Sequence, residues 1–175
     1  MAARSKVELV AAEDARAIIV TRIIDAPREL VFEAWTSPDH LARWWGPKGF
    51  TTTTKTFNMS PGGIWRFVMH GPDGRDYENR ITYDEIDRPK RLAYHVRGVM
   101  DVEPVEFNTT VTFEEMGGKT RLTMRALFPT AAARDRVVKE YGAEEGGQQT
   151  ISRLADYVAR QLRGERGKGA PDLEG

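Results

Sequence analysis

Three histidines are the first residues in this sequence that could hold a metal ion or act as a general base. His40 lies beside two tryptophans in a segment with helical spacing, whereas His70 and His95 lie in segments with alternating apolar residues. Alternation sends neighbouring side chains to opposite faces of a sheet, and both of these histidines share a face with arginines. The histidines are not arranged in an H-x-H or H-E-x-x-H spacing. The sequence therefore predicts three solvent-exposed histidines, no metal site and no cofactor.

Other catalytic motifs are missing from the sequence as well. It contains no cysteine, which excludes thiolate catalysis and Cys-based zinc sites. It has no G-x-S-x-G elbow, glycine-rich phosphate loop or dinucleotide fingerprint. The acidic pairs Asp84-Glu85 and Glu114-Glu115 lie on predicted strands, so the two carboxylates of each pair point to opposite faces and cannot form an acid–base dyad. We therefore assign no catalytic residue.

Polar side chains interrupt the apolar face of several predicted strands. Asn79, Tyr94 and Thr109 each fall among large apolar residues that should be buried. A buried polar group without a partner costs about 1–3 kcal/mol, so these groups must meet each other, ordered water or a ligand. Asn79 is the clearest case, because its amide brings two donors and an acceptor to an apolar wall. A pocket lined by aromatic side chains with a few polar groups is typical of small-molecule sites.

We therefore predict that a small, largely apolar molecule binds inside the domain and is oriented by Asn79 and a tyrosine. The predicted ligand-binding residues are Trp45, Trp65, Phe67, Met69, Asn79, Ile81, Tyr83, Tyr94, Phe107, Thr109, Met124, Leu154 and Val158. The sequence also allows an alternative without a ligand. In it the polar groups form hydrogen bonds with one another, and side chains fill the interior. Of Trp44 and Trp45, we expect one to lie in the core and one at the cavity lip, and the pattern does not say which.

A second hypothesis is an enzyme of the cyclase, dehydratase or hydrolase type that uses the same cavity. Tyr83 or Tyr94 would then act as a proton donor. A tyrosine could serve as a base only if its pKa fell well below its ordinary value of about 10, and no residue that titrates near neutrality is predicted to point inward. We therefore favour binding over catalysis.

The spacing of apolar residues predicts the elements that position these side chains. A β-branched run from Ile18 to Ile24 predicts a strand, and two short helical patterns follow, from Leu30 to Trp35 and from Leu41 to Trp45. From Phe50 to Phe128 the apolar residues alternate, which predicts about six further antiparallel strands. The fold class is therefore α+β, with a curved antiparallel sheet of about seven strands and its helices on one side.

A glycine pair predicts the register of the last hairpin. Gly117-Gly118 favours a tight two-residue turn. With that turn, Phe113 faces Leu122 and Phe107 faces Phe128 on the buried side of the sheet.

The end of the sequence predicts two helices separated by a break. Thr130 can cap a short helix, and Gly142 together with the Gly146-Gly147 pair predicts the break that follows it. A second helix carries an apolar stripe from Ile151 to Leu162, which needs a sheet to cover. The ligand is predicted to lie between this stripe and the sheet.

Composition restricts the partners and the location of the protein. Lys plus Arg and Asp plus Glu number 26 each in 175 residues, so no net charge attracts nucleic acid or an anionic membrane. No apolar run approaches the length of a membrane span, so we expect no membrane insertion. We expect a cytoplasmic protein in which residues 1–16 form a flexible leader, residues 17–163 a single domain and residues 164–175 a disordered tail.

Four separated motifs resemble one superfamily. They span Asp25 to Phe32, Trp44 to Pro47, Arg66 to Gly74 and Glu145 to Gln149. The chain is thereby similar, over residues 17 to 163, to the SRPBCC superfamily, and within it to the stand-alone bacterial branch of the family named after the activator of the heat-shock-protein-90 ATPase. The resemblance implies a helix-grip, START-like fold with two short helices after strand 1. It also implies a long C-terminal helix over a deep pocket, which the superfamily uses for lipids, sterols, polyketides and hormones.

The resemblance also bears on macromolecular partners. It implies a monomer or a weak homodimer. The family name raises a third hypothesis, a co-regulator of a chaperone ATPase. We do not expect a chaperone partner, because the eukaryotic activators carry an additional domain for which this chain has no room.

Overall fold

A computed structural model of the chain describes residues 8–10, 14–99 and 104–166. The described elements are β1 (Glu8–Val10), β2 (Ala17–Ile24), α1 (Arg28–Thr36), α2 (Pro38–Trp44), β3 (Thr51–Phe57), β4 (Ile64–His70), β5 (Asp76–Asp87), β6 (Arg91–Val99), β7 (Pro104–Met116), β8 (Lys119–Leu127), α3 (Ala131–Tyr141) and α4 (Ala143–Arg166). The strands form one sheet in the order β1-β2-β8-β7-β6-β5-β4-β3, and all of its neighbouring strands are antiparallel.

The predicted α+β class and the helix-grip arrangement are confirmed. Strands β2–β8 correspond to the seven predicted strands, α1 and α2 are the two short helices after the first of them, and α4 is the long C-terminal helix. Strand β1 is additional. It pairs with β2 and lies within residues 1–16, which the sequence analysis assigns to a flexible leader.

The predicted register of the last hairpin is also confirmed. Gly117 and Gly118 adopt positive φ angles of 58° and 88°, as a two-residue type I′ turn requires. Phe113 pairs with Leu122, and the rings of Phe107 and Phe128 lie 4.8 Å apart between centroids. Turn geometry and side-chain alternation therefore specify this part of the sheet together.

The predicted helix break is confirmed at Gly142 and is wrong at Gly146-Gly147. Gly142 ends α3 with a left-handed φ of 62°, whereas α4 runs through both of the later glycines. The glycine pair instead allows α4 to approach the sheet closely. A Cβ atom at Gly147 would lie only 3.4 Å from Val20 Cγ2 on β2. Tertiary contact therefore overrides the weak helix propensity of glycine at these positions.

The last helix extends beyond residue 163, the predicted C-terminal bound of the domain. Helix α4 continues to Arg166 and so enters the segment 164–175, which is predicted to be a disordered tail. Residues 1–7, 11–13 and 167–175, which belong to the predicted leader and tail, lie outside the described residues. Among the described helices, none combines the length and the apolar character that crossing a bilayer requires.

Candidate ligand cavity

A cavity of about 260 Å³ lies between the inner face of the sheet and the first turns of α4. Strands β2 and β4–β8 form its floor, and the corner Trp45-Gly46-Pro47 between α2 and β3 forms one wall. The side of the cavity at α4 is lined by Ala143, Gly146, Gly147 and Thr150. Since these are small residues, the helix covers the cavity without filling it.

Eight of the thirteen predicted ligand-binding residues line this cavity: Trp45, Phe67, Met69, Asn79, Tyr94, Phe107, Thr109 and Met124. The other five are buried in the core and do not line it: Trp65, Ile81, Tyr83, Leu154 and Val158. The apolar stripe of α4 packs against the sheet and α2, and Leu154 and Val158 are fully buried there. The open space therefore lies at the N-terminal end of α4 and not under the stripe, where the sequence analysis places the ligand.

Sequence reasoning missed several lining residues. The cavity is also lined by Ile18, Val20, Gly46, Pro47, Val96, Gly98, Ala126, Phe128, Ala143, Gly146, Gly147 and Thr150. One signal could have located the site: two adjacent glycines inside an amphipathic helix, which leave room where large side chains would otherwise meet the sheet.

The two neighbouring tryptophans have different roles, as the sequence analysis expects. Trp44 is fully buried, and its indole N–H donates to the Ala34 carbonyl at 3.0 Å. Trp45 is half-buried and lines the cavity, and its ring centroid lies 5.1 Å from that of Trp65. Trp44 is therefore the core residue and Trp45 the residue at the lip.

Asn79 brings an amide to the apolar cavity wall. Its Nδ2 atom donates to the Tyr77 carbonyl at 3.1 Å, and no group in the described ranges donates to its Oδ1 atom. Asn79 pairs across the sheet with Gly98, where a Cβ atom would lie 2.6 Å from Oδ1. The absence of a side chain at Gly98 therefore makes room for the amide, and Oδ1 is left as an acceptor at the cavity.

Thr109 is the second polar residue of interest in the cavity. It lies on β7 and is only 3% exposed. Its side chain lines the cavity, and its hydroxyl forms no hydrogen bond with any residue that the structure describes. The hydroxyl oxygen is not a fully buried atom, so it faces the open space of the cavity and is available to a molecule that enters it.

The two buried tyrosines remain protonated over the physiological pH range. Their ring centroids lie 6.0 Å apart, and Tyr94 lines the cavity while Tyr83 lies in the adjoining core. Burial raises the pKa of Tyr83, and the neighbouring Tyr94 raises it further. Burial also raises the pKa of Tyr94, an effect that the nearby Trp35 side chain partly offsets. Both hydroxyls are therefore neutral and unsuited to act as bases.

We expect these tyrosines to make the fold unstable in strong alkali. The unfolded chain releases their protons above pH ~10, where the folded protein retains them because both pKa values are raised. The unfolded state then binds fewer protons, so the free energy of unfolding falls by about 1.4 kcal/mol per pH unit for each tyrosine. The full contribution is present below pH ~10.

Urea unfolding between about pH 9 and pH 11 measures this effect. Replacing both residues, as in Tyr83→Phe with Tyr94→Phe, should make the decline of stability with pH shallower than in the wild type. The same slope in both proteins would contradict the prediction, because other titrating groups would then account for the whole effect.

Helix α4 holds the corner that forms the cavity wall. The Arg153 guanidinium donates through Nη1 to the carbonyls of Gly46 and Pro47, both at 2.9 Å. Gln149 Oε1 accepts from the Lys48 backbone N–H at 3.1 Å. The sequence predicts no such contacts, because the spacing of α4 places Arg153 outside its apolar stripe. Arg153 is in fact half-buried, and this burial lowers the pKa of its guanidinium.

The predicted exposure of the histidines is confirmed for His95, whereas His70 and His40 are partly buried. His70 hydrogen-bonds with Thr53 and Asp76 at the outer surface, where its side chain is 37% exposed. His40 is half-buried, and its ring hydrogen-bonds with the Tyr157 hydroxyl on α4. The prediction for His40 is therefore wrong, because α4 covers α2. In the described ranges, no three His, Asp or Glu side chains are grouped to hold a metal ion.

The long helix over a curved antiparallel sheet, with a cavity between them, defines a protein of the helix-grip, START-like class. The chain belongs to the family described as Activator of Hsp90 ATPase homolog 1-like protein, whose model matches residues 25–159. No curated protein sequence matches the chain significantly.

Solved structures of bacterial proteins share this fold. The solution structure of a protein from Arthrobacter aurescens has a TM-score of 0.80 and 24% identity, and the match covers 87% of this chain and 91% of that one. A crystal structure from Rhodobacter sphaeroides has a TM-score of 0.77 and 24% identity, covering 89% and 99%. A protein from Staphylococcus epidermidis has a TM-score of 0.73 and 26% identity, covering 87% and 94%.

Proposed function

We propose that the protein binds a small, largely apolar molecule in the cavity between the sheet and α4. The observation that carries this proposal is an apolar wall interrupted by two polar atoms that pair with no described residue, Asn79 Oδ1 and the Thr109 hydroxyl. Both residues line the open space of the cavity, where a bound molecule would complete their hydrogen bonding.

The size of the cavity limits the ligand. A cavity of about 150 Å³ in a protein core holds one benzene ring, that is, six carbon atoms. By the same scale the cavity of about 260 Å³ holds roughly ten non-hydrogen atoms. Two fused aromatic rings or a short branched acyl chain match this size, whereas a sterol or a long-chain lipid exceeds it.

The polar groups indicate what the ligand carries. Asn79 Oδ1 can only accept a hydrogen bond, whereas one of the two N–H groups on Nδ2 already donates to the Tyr77 carbonyl. The Thr109 hydroxyl can donate or accept. A ligand with one hydroxyl or N–H group near the edge of an apolar frame would satisfy both residues. We therefore infer a phenol-like or amide-bearing aromatic molecule.

The cavity supports binding better than catalysis. Among its described lining residues, the one ionisable side chain is Tyr94, whose pKa is raised by burial. The cyclase or dehydratase alternative needs a group that exchanges protons near neutral pH, and a neutral, buried tyrosine exchanges them poorly. Tyr83, the other proposed proton donor, does not line the cavity. The prediction that a chaperone is not a partner stays a prediction.

The Asn79 side chain tests the proposed hydrogen bond. In the wild type, 2-naphthol should bind more tightly than naphthalene, because its hydroxyl can donate to Oδ1. Asn79→Leu keeps the approximate side-chain volume and removes the acceptor. We expect it to weaken 2-naphthol binding by about 10-fold, since one hydrogen bond contributes about 1–1.5 kcal/mol, and to leave naphthalene affinity unchanged. Isothermal titration calorimetry measures both affinities.

Asn108→Leu is the matched control, because Asn108 is an exposed asparagine on β7, the strand that carries Thr109. It should leave both affinities at the wild-type values. Failure of the wild type to bind either probe would argue against the proposal. An equal loss of both probes in Asn79→Leu would show that Asn79 supports the wall without recognising a donor.

A further inference from the structure

Three arginines lie side by side on the outer face of the sheet, away from the cavity. Arg66 on β4 pairs with Arg80 on β5, and Arg80 pairs with Arg97 on β6. Neighbouring strands are about 4.8 Å apart, so the three Cα atoms form one row about 10 Å long. Like charges directly opposite each other destabilise a sheet. This row is therefore unfavourable unless an anion compensates it.

Among the residues that the structure describes, carboxylates compensate only one end of the row. Arg97 Nη1 lies 3.5 Å from Glu106 Oε2, and both side chains are about half exposed. Arg66 and Arg80 are exposed, and neither forms an ion pair or a hydrogen bond with any residue in the described ranges. Two adjacent guanidinium groups are thus free to receive an external anion.

The surface around the row is concave. The three arginines line a depression of about 300 Å³ together with Lys55 and Glu78. Lys55 Nζ lies 3.7 Å from Glu78 Oε2, in a pair whose side chains are 53% and 71% exposed. An exposed pair of this length contributes little, so it would yield readily to a stronger anionic partner. The depression therefore offers two unpaired guanidinium groups, with Arg97 and Lys55 beside them in exposed ion pairs.

We propose that this depression binds a phosphate group, carried by a soluble phosphate ester or by a lipid headgroup. Arginine side chains recognise phosphate through forked, charge-assisted hydrogen bonds, and two unpaired guanidinium groups match its double negative charge. The formal net charge of the chain is zero, so attraction would come from this local cluster and not from the overall field. The depression lies on the outer face of the sheet, and Phe67 and Asn79 line both the depression and the cavity.

Titration of the wild type with phenyl phosphate at low ionic strength, followed by NMR, tests the site. The amide signals of β4, β5 and β6 around the arginine row should shift. Arg80→Gln should weaken binding at least 10-fold. It should not lower the melting temperature, because the substitution removes a like-charge contact. Arg121→Gln on β8 is the control, since Arg121 is exposed opposite Glu114 and the variant loses the same charge. Its affinity should stay within about twofold of the wild type.

Vesicles of phosphatidylcholine with and without phosphatidic acid distinguish the two sources of phosphate. Binding of phenyl phosphate alone supports a soluble ester, and binding of phosphatidic acid vesicles that Arg80→Gln abolishes supports a headgroup. Binding of neither probe overturns the proposal. Equal weakening by Arg80→Gln and Arg121→Gln also overturns it, because attraction would then follow total charge and not this site.

Discussion

Gly147→Leu is expected to lower the affinity for 2-naphthol by about 100-fold while leaving the fold intact. An added Cβ at this position would point at Val20 Cγ2, 3.4 Å away, and at Met124 Cε, 3.7 Å away, and both residues line the cavity. The four carbons of a leucine side chain would take about 100 Å³ on the benzene scale, which leaves room for one ring but not for two. Losing the burial of four carbons costs about 3 kcal/mol, which corresponds to about 100-fold in affinity.

Calorimetric titration with 2-naphthol and with phenol measures this prediction, and phenol should lose much less affinity than the larger probe. Gly164→Leu is the matched control. It lies in the same helix, and an added Cβ there has no neighbour within 4 Å. Both variants replace a helical glycine and should gain a similar helix propensity of about 0.8–1 kcal/mol. If Gly147→Leu binds 2-naphthol as the wild type does, the ligand does not occupy this cavity.

Arg153→Met is expected to lower the free energy of unfolding by about 2–4 kcal/mol. The substitution leaves the carbonyls of Gly46 and Pro47 without their shared donor. Hydrogen bonds to a charged group contribute about 1.5–3 kcal/mol each, and bonds that share one donor atom do not add fully. Urea unfolding measures the loss, which in a chain of this length also lowers the melting temperature by about 5–10 °C.

The same variant should weaken ligand binding, because the corner held by Arg153 forms one wall of the cavity. Arg160→Met is the control on the same helix. Arg160 is exposed, and its replacement should change stability by less than about 0.5 kcal/mol. Arg153→Lys should recover part of the loss, because an ammonium group also donates to carbonyls. If Arg153→Met changes the free energy of unfolding as little as the Arg160→Met control does, the prediction is wrong. The ring contacts of Trp45 would then hold the corner without the arginine.

Most of the sheet could be predicted because its information is local. Alternation along each strand decides which residues point inward, and the turn Gly117-Gly118 sets the register of β7 and β8. The inward direction of Phe67, Asn79 and Tyr94 follows from the same rule. Strand β1 could not be predicted in this way, because its three residues contain too little pattern to distinguish a strand from a leader.

The shape of the interior was less predictable than its composition. Sequence pattern identifies Leu154 and Val158 as inward-facing, and they are, but it does not show whether an inward side chain meets another side chain or open space. That depends on how far α4 stands from the sheet at each turn. The answer requires distances between residues that are more than a hundred positions apart, such as Gly147 and Val20.

By itself, the sequence determined the class of fold, the inner face of each long strand and the presence of an amide among apolar residues, because these follow from side-chain periodicity and turn chemistry. Tertiary structure alone decided where the cavity lies. It placed two glycines of α4 over the floor of the cavity and brought Arg153 to the corner beside Trp45. Each of these arrangements depends on packing between distant segments, which no local pattern encodes.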